Sequence, residues 1–550
     1  MSVTNQIDVG EPLPLEAGKH AISVSLPSWF SHIGFKEDDP RVVSLMQTGY
    51  PRFWIHWNIR KLAQYFEDKF GHEHEKAILL RSASAAHECH AFLATRDVTA
   101  RILDYERPQT RPGAEVHVVF YPSDAFLVAK QFWQHTGFGI TTRLADLYIS
   151  LLDIPGQESV FNSRRSENTS HEEGADVTNA AADAKLAIRQ RLANLVDTDS
   201  DSVWLYPSGM QAIWSIHQAC MSALGPYKSV CFGFPYVDTL KVLEKWGPGC
   251  FFYPDGSDQY IDELDALLAK RKAVNPSEPP ILALFTELPS NPLLLSFNLP
   301  RLRELADKYG FPIVIDDTIG NFANVNTLLY ADVVASSLSK LFSGRADVMG
   351  GSLILNRNGK FYNTLQKQIR NAYEDMYFDE DVIVLERNSR DFLQRSTVVD
   401  RNTEAITEYL LACTSVVKEV YYPKWQTPEH YNLCRRQTGP TGGYGGLFSL
   451  LFTSVAAAQG FFDALPCPKG PSFGTDFTLV CPYAIIAHYR ELDWAAGHGV
   501  PLELVRVWVG VEDLDELMQA FRVAVKAAEE AQLCYAPGQV PGAVWKPLGE

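Results

Sequence analysis

Asp332-Val333-Val334-Ala335-Ser336-Ser337-Leu338-Ser339-Lys340 is an apolar, strand-like run that passes into small and hydroxylated residues and ends on a lysine. A glycine-bearing stretch follows, Gly344-Arg345-Ala346-Asp347-Val348-Met349-Gly350-Gly351-Ser352. A lysine in this setting is poorly placed for a solvated face. It is well placed to form an imine with a carbonyl cofactor, with hydroxyls nearby to hold a phosphate.

Working outward, residues from about 200 to 355 alternate between strand and helix patterns. Val203–Tyr206 and Ser229–Phe232 read as short strands, and Met210–Ala223, Val237–Trp246 and Asp258–Lys272 as helices. The last carries apolar residues at helical spacing, Ile261, Leu264, Leu267 and Leu268. Ile281–Phe285 and Pro312–Ile315 are continuous apolar runs, which suit strands covered by helices on both faces. A mostly parallel sheet between two helical layers follows, with ligands expected at the carboxyl ends of its strands.

Upstream, Glu115–Tyr121 alternates like a strand, Gln157–Asn179 reads as a polar loop, and the alanine-rich Ala180–Leu195 as a helix. Downstream, Phe448–Phe452 and Val505–Val509 are strand candidates, and Leu514–Ala531 a final helix opened by acidic residues. The expected division is 1–195, an N-terminal extension and subunit-contact region; 196–385, the large domain; and 386–550, a smaller α/β domain.

Composition sets the class. A chain of 550 residues with 46% hydrophobic and 12% aromatic content is a folded protein of more than one domain. A net charge of −17 argues against nucleic acid and anionic membrane as partners. The nine cysteines are scattered without a CxxC pair, which fits a reducing, cytoplasmic setting. No signal peptide and no membrane span is expected. The cluster His72, His74, His87, Cys89 and His90 matches no zinc spacing, so no metal is expected. Gly442-Gly443-Tyr444-Gly445-Gly446 lacks the Gly-Lys-Ser/Thr of a phosphate loop and reads as a turn before a strand.

Four segments fall at strand ends and together supply what a pyridoxal 5'-phosphate site needs. Pro207-Ser208-Gly209-Met210-Gln211 closes a strand and opens a helix, whose first amides can hold a phosphate. Ser337 and Ser339 add hydroxyls. Asp316, in Ile315-Asp316-Asp317-Thr318, places a carboxylate where it can keep a pyridine nitrogen protonated. Tyr236, in Phe234-Pro235-Tyr236, offers a ring to stack on the cofactor.

These motifs make the chain resemble the Cys/Met-metabolism family of pyridoxal-phosphate enzymes, of fold type I, and within it the long fungal cystathionine γ-synthases. Ser208-Gly209-Met210 is similar to the family's S-G-M turn, and Thr286-Glu287-Leu288-Pro289-Ser290-Asn291-Pro292 to E-S-P-S-N-P. Asp316-Asp317-Thr318 is similar to D-N-T, and Ser337-Leu338-Ser339-Lys340 to S-A-T-K. Ser343–Gly351, Ser472-Phe473-Gly474 and Arg506–Glu512 resemble the S-G-H-S-D-V-I-G-G, S-L-G and R-L-S-V-G-I-E segments. His20–Pro27 and Trp133–Gly137 look like the fungal N-terminal extension.

The resemblance implies a seven-stranded, mostly parallel sheet and an oligomer, a homodimer or homotetramer. It implies that Lys340 carries the imine, that Asp316 with Thr318 serves the ring nitrogen, and that Tyr236 stacks on the ring and assists proton transfer. It puts Asn291 beside the cofactor's 3' oxygen and Ser208, Gly209, Met210, Ser337 and Ser339 around the phosphate. Arg506, helped by Ser472, would clamp the α-carboxylate of an amino-acid substrate. The implied reaction is γ-replacement on O-acetyl- or O-succinylhomoserine, with cysteine as nucleophile. A carbon or amine nucleophile, a β- or γ-lyase, and a non-catalytic relative are the alternatives. One departure stands out. The family's Tyr-x-Arg, which reaches the neighbouring subunit's phosphate, is absent from Glu172-Glu173-Gly174-Ala175-Asp176, where it belongs by spacing; Arg164 or Arg165, after Phe161, is the expected substitute.

Overall fold

The computed structural model describes residues 7–51, 53–105, 108, 110, 113–154, 174–439 and 441–534. Three sheets organise them. The first is small and antiparallel, built from β1 (Glu75–Leu80), β2 (Arg101–Ile102) and β3 (His117–Pro122) in the order β1-β3-β2.

The second holds seven strands: β4 (Val203–Tyr206), β5 (Ser229–Phe232), β6 (Cys250–Tyr253), β7 (Leu284–Glu287), β8 (Ile313–Asp316), β9 (Val333–Ser337) and β10 (Gly351–Leu355). Their order is β4-β10-β9-β8-β7-β5-β6. Only β10 runs against the others, pairing antiparallel with β4 and β9. The apolar runs are explained by two-sided burial. Along β8, Ile313 and Ile315 enter one core while Val314 enters the other, and β5 divides Val230 and Phe232 from Cys231 in the same way. The helix Gly209–Leu224 covers one face; the helices Gly174–Val196, Asp258–Val274 and Leu299–Tyr309 cover the opposite one.

The third sheet is antiparallel: β11 (Val417–Tyr421), β12 (Leu447–Phe452), β13 (Leu479–Pro482) and β14 (Leu504–Trp508), ordered β11-β12-β14-β13. The helices Val455–Ala464 and Leu514–Cys534 pack on it through Phe461, Phe462, Phe521 and Val525.

Two sequence expectations need correction. The polar stretch ending at Asn179 is helical from Gly174. Tertiary contacts override its composition: Thr178 donates to Asp379, and Lys185 pairs with Asp375 at 2.9 Å. The run Ile281–Phe285 is also not a strand throughout. The strand is Leu284–Glu287, because the pairing with β8 starts only where Leu284 meets Ile313.

The residues before β1 form a segment that spans both larger sheets. Ile22 N–H donates to Ala346 O at 2.7 Å, Leu26 N–H to Lys469 O at 2.9 Å, and Trp29 N–H to Asp463 Oδ1 at 2.8 Å. Phe35, Val42 and Met46 share a core with Cys481 of β13 and with Ile486. Among the described residues, no helix is long and apolar enough to cross a membrane.

Candidate active site

The carboxyl ends of β7, β8 and β9 carry Glu287, Asp316 and Ser337 to one edge of the large sheet, and Lys340 follows in the turn after β9. Lys340 is 5% exposed. Its Nζ donates to the Tyr50 hydroxyl at 3.1 Å and the Ser472 hydroxyl at 3.2 Å. It also stands 4.3 Å from the Tyr50 ring centre and 4.5 Å from that of Phe473. Burial, and then the positive charge of Arg506, lowers its pKa to about 7. Gly474 makes the close approach possible. Its φ is +79°, and a Cβ there would lie 2.6 Å from Lys340 Cβ.

Asp316 is fixed by Thr318, whose hydroxyl donates to Oδ1 at 2.6 Å and whose N–H donates to the same oxygen at 3.0 Å. The Thr318 hydroxyl in turn accepts Ser337 N–H at 2.8 Å, tying the end of β8 to the end of β9. Both donors use one oxygen, so Asp316 keeps its second oxygen for another donor. Burial raises its pKa while Thr318 opposes the rise. Glu287, beside it, is pushed well above the carboxylate range by burial and by the Asp316 charge. Its Oε1 accepts Tyr236 N–H, which anchors the Tyr236 backbone. The Tyr236 hydroxyl donates to Asp238 Oδ2 at 3.2 Å.

The Ser208–Met210 turn opens the helix Gly209–Leu224, and the Ser208 side chain caps Gln211 N–H. The amides of Gly209 and Met210 precede it in the first turn, where no helix carbonyl can take them. A Cβ on Gly209 would sit 2.8 Å from Ser337 Cβ, so only glycine lets the turn lie against β9. The Ser339 hydroxyl accepts Gly350 N–H at 2.9 Å.

Arg506, on β14, is 4% exposed. Its Nη1 donates to Asn291 Oδ1 at 3.1 Å, and its Nη2 to Pro471 O at 3.0 Å and Ser472 O at 3.3 Å. Its guanidinium lies 5.0 Å from the Phe473 ring centre and 4.8 Å from that of Tyr483. All of its named partners are neutral. A buried guanidinium without a carboxylate is costly unless a ligand supplies one.

One cavity gathers the expected residues: Ser208, Gly209, Met210, Tyr236, Asn291, Asp316, Thr318, Ser337, Ser339, Lys340 and Arg506 line it. Ser472 joins through Lys340. Among the lining residues to which sequence reading gave no role are Tyr50, Phe53, Glu287 and Tyr483. Glu287 stood inside a quoted motif without a role. Tyr50 begins Tyr50-Pro51-Arg52, a Tyr-x-Arg much farther upstream than the spacing predicted; Arg52 lies outside the described residues. Phe161, Arg164, Arg165, Glu172 and Glu173 also lie outside them. Of the histidine cluster, His87 and His90 are exposed on the helix Ala83–Ala94 while Cys89 is buried. The glycine run 442–446 is irregular and is pinned by Asn324 and Asp400.

A buried lysine, a carboxylate at the next strand end and an open helix N-terminus on a mostly parallel sheet define a pyridoxal-phosphate-dependent enzyme. The chain belongs to the Cys/Met metabolism PLP-dependent enzyme family, whose model matches residues 158–526. Residues 58–141 match the fungal trans-sulfuration enzyme N-terminal domain. The chain is 42% identical to the cystathionine gamma-synthase-like enzyme iboG2 of Amanita muscaria, over 97% of this chain and 98% of that one. It is 36% identical to the cystathionine gamma-synthase of Neurospora crassa, over 95% and 99%. The cystathionine gamma synthase of Xanthomonas oryzae pv. oryzae, solved with aminoacrylate and cysteine, shares the fold at a TM-score of 0.54 and 23% identity, over 68% of this chain and 91% of that one. The cavity fits the cofactor in its donor set: an amine for the carbonyl, a carboxylate with one oxygen to spare for the ring nitrogen, and a glycine turn for the phosphate.

Proposed function

We propose that the protein catalyses γ-replacement on an O-acylhomoserine, the acetyl or succinyl ester, in the manner of a cystathionine γ-synthase. The observation that carries the reading is Arg506, a buried cation with neutral partners that meets Lys340 at Ser472. An α-amino acid brings the matching carboxylate, and Ser472, whose carbonyl holds Arg506, also touches the amine that would work on the substrate's Cα.

Lys340 would hold the cofactor's carbonyl, Asp316 with Thr318 the ring nitrogen, and Ser208, Gly209, Met210, Ser337 and Ser339 the phosphate. Tyr236 would cover the ring face, and Asn291, already on Arg506, would sit between cofactor and carboxylate. When bound, pyridoxal 5'-phosphate supplies the electron sink that allows protons to leave Cα and Cβ. Arg506 binds the substrate carboxylate and so aims the Cα–H bond. The Lys340 amine, with a pKa of about 7, is half free base near neutrality and accepts the Cα proton at Nζ. Tyr50, Phe53 and Phe473 wall off water. Ester oxygen then departs from Cγ, and the cysteine thiol takes its place.

A carbon or amine nucleophile is the second reading, favoured by the greater identity to the synthase-like relative than to the synthase. The division at 195 and 385, a cytoplasmic location and a homodimeric or homotetrameric state complete the proposal. The test incubates the holoenzyme with O-acetylhomoserine, with and without cysteine, and identifies products by mass spectrometry. Cystathionine supports the first reading. Ketobutyrate alone, whatever nucleophile is added, overturns replacement in favour of a lyase. Visible cofactor absorbance lost in Lys340→Ala supports an enzyme; its absence from the wild type overturns the reading.

A further inference from the structure

The part of the chain ahead of β4 touches the site at three separate points. Tyr50 OH meets Lys340 Nζ at 3.1 Å. Gln134 Nε2 donates to Asp238 Oδ1 at 2.8 Å, and Asp238 accepts the Tyr236 hydroxyl. Gly137, at φ +73°, packs so closely on the helix-opening turn that a Cβ would lie 2.4 Å from Ser208 Oγ.

Tyr50 is built in. The Thr48 hydroxyl donates to Ala21 O, and Gln47 N–H donates to Gly10 O at 2.9 Å. Phe53 and Trp54 both return amide bonds to Tyr50 O, at 2.9 and 3.0 Å. Gly49 has no room for a side chain, since a Cβ would lie 2.6 Å from Trp54 Cβ. Met46, four residues before Tyr50, packs with Ile486, which lines the cavity.

We propose that Tyr50, supplied by the same chain as Lys340, is a catalytic residue whose hydroxyl holds the Lys340 amine in line for reaction and exchanges protons with it. The proposal rests on reading Lys340 as the residue that takes the cofactor's carbonyl. In that attachment Nζ attacks the carbonyl carbon, a C=N bond replaces C=O, and the two amine protons leave with the oxygen as water. A hydroxyl in hydrogen-bond range of Nζ can carry those protons.

The experiment uses full-length chains stripped of cofactor. Tyr50→Phe keeps the ring and its packing and removes only the hydroxyl. Cofactor attachment, followed by visible absorbance, is expected to slow at least about tenfold, with the final absorbance and the melting temperature unchanged. Turnover of O-acetylhomoserine is expected to fall in kcat, with KM within about threefold. Mixing Tyr50→Phe chains with Lys340→Ala chains, after dissociation and reassociation, is expected to restore no fast attachment. A wild-type attachment rate in Tyr50→Phe overturns the proposal, and so does a fast phase in the mixture, which would assign Tyr50 to the partner's site. A wild type that attaches cofactor but ignores O-acetylhomoserine sinks the γ-replacement reading alone; the attachment rate still decides Tyr50.

Discussion

Arg506 and Asn291, 215 residues apart in the chain, are joined by a 3.1 Å hydrogen bond that couples β14 of the third sheet to the loop after β7 of the seven-stranded one. The substrate carboxylate proposed for Arg506 would therefore meet a guanidinium already oriented from both sides.

Replacing Arg506 with Leu removes that orientation and the charge. Charge-assisted pairs are worth about 1.5–3 kcal/mol, so KM for the amino-acid substrate should rise roughly 10–150-fold. Arg506→Lys should recover little, because a lysine cannot reproduce the planar fork. Steady-state kinetics on the holoenzyme measures both.

The Lys340 pKa sets a pH dependence. Its value of about 7 lies far below the 10.5 of a free lysine, and the nucleophilic form is the unprotonated amine. Cofactor attachment to the apoprotein should therefore rise with pH through about 7 and level off above it. Because Arg506 lowers this pKa, Arg506→Leu should move the midpoint upward. A midpoint that stays put in the variant would contradict the electrostatic cause. Stopped-flow absorbance across pH 5–9 reads it out.

Thr318→Val keeps the shape and deletes one hydroxyl. It leaves Ser337 N–H without its acceptor and Asp316 Oδ1 without its shorter donor. The expected cost is about 1–3 kcal/mol of folding stability, together with weaker cofactor binding. Denaturant melts and cofactor titration measure the two effects separately.

Gly474→Ala should be worse than its size suggests. The residue sits at φ +79°, and the new methyl would meet Lys340 Cβ at 2.6 Å and Leu341 N at 2.8 Å. Destabilisation of more than about 1 kcal/mol is expected, with loss of visible cofactor absorbance as Lys340 is displaced. Normal absorbance in the purified variant would contradict the packing argument.

Much of the site was legible because a parallel sheet delivers its ligands from strand ends, and strand ends can be read locally. Ser208, Asp316, Ser337 and Lys340 each follow an apolar run, so their convergence required only the order of motifs. The direction of β10 was not legible, since a two-sided buried strand has the same composition whether it runs with or against its neighbours. The start of the helix Gly174–Val196 was hidden for a related reason: its first half is held at Thr178 and Lys185 by Asp379 and Asp375, about 200 residues away. Tyr50 was the hardest to see. It lies in an irregular stretch without periodicity, and its partner is 290 residues downstream.

The segment that carries Tyr50 is translated long before the residues that anchor it. Trp29 must wait for Asp463, 434 residues later. At roughly 5–20 residues per second, that delay is about 20–90 s. Throughout it the large sheet can form while its catalytic edge stays unroofed. Completion of the candidate site thus waits on synthesis of the third sheet, and a nascent chain stalled before it would have Lys340 exposed and its own Tyr50 out of reach.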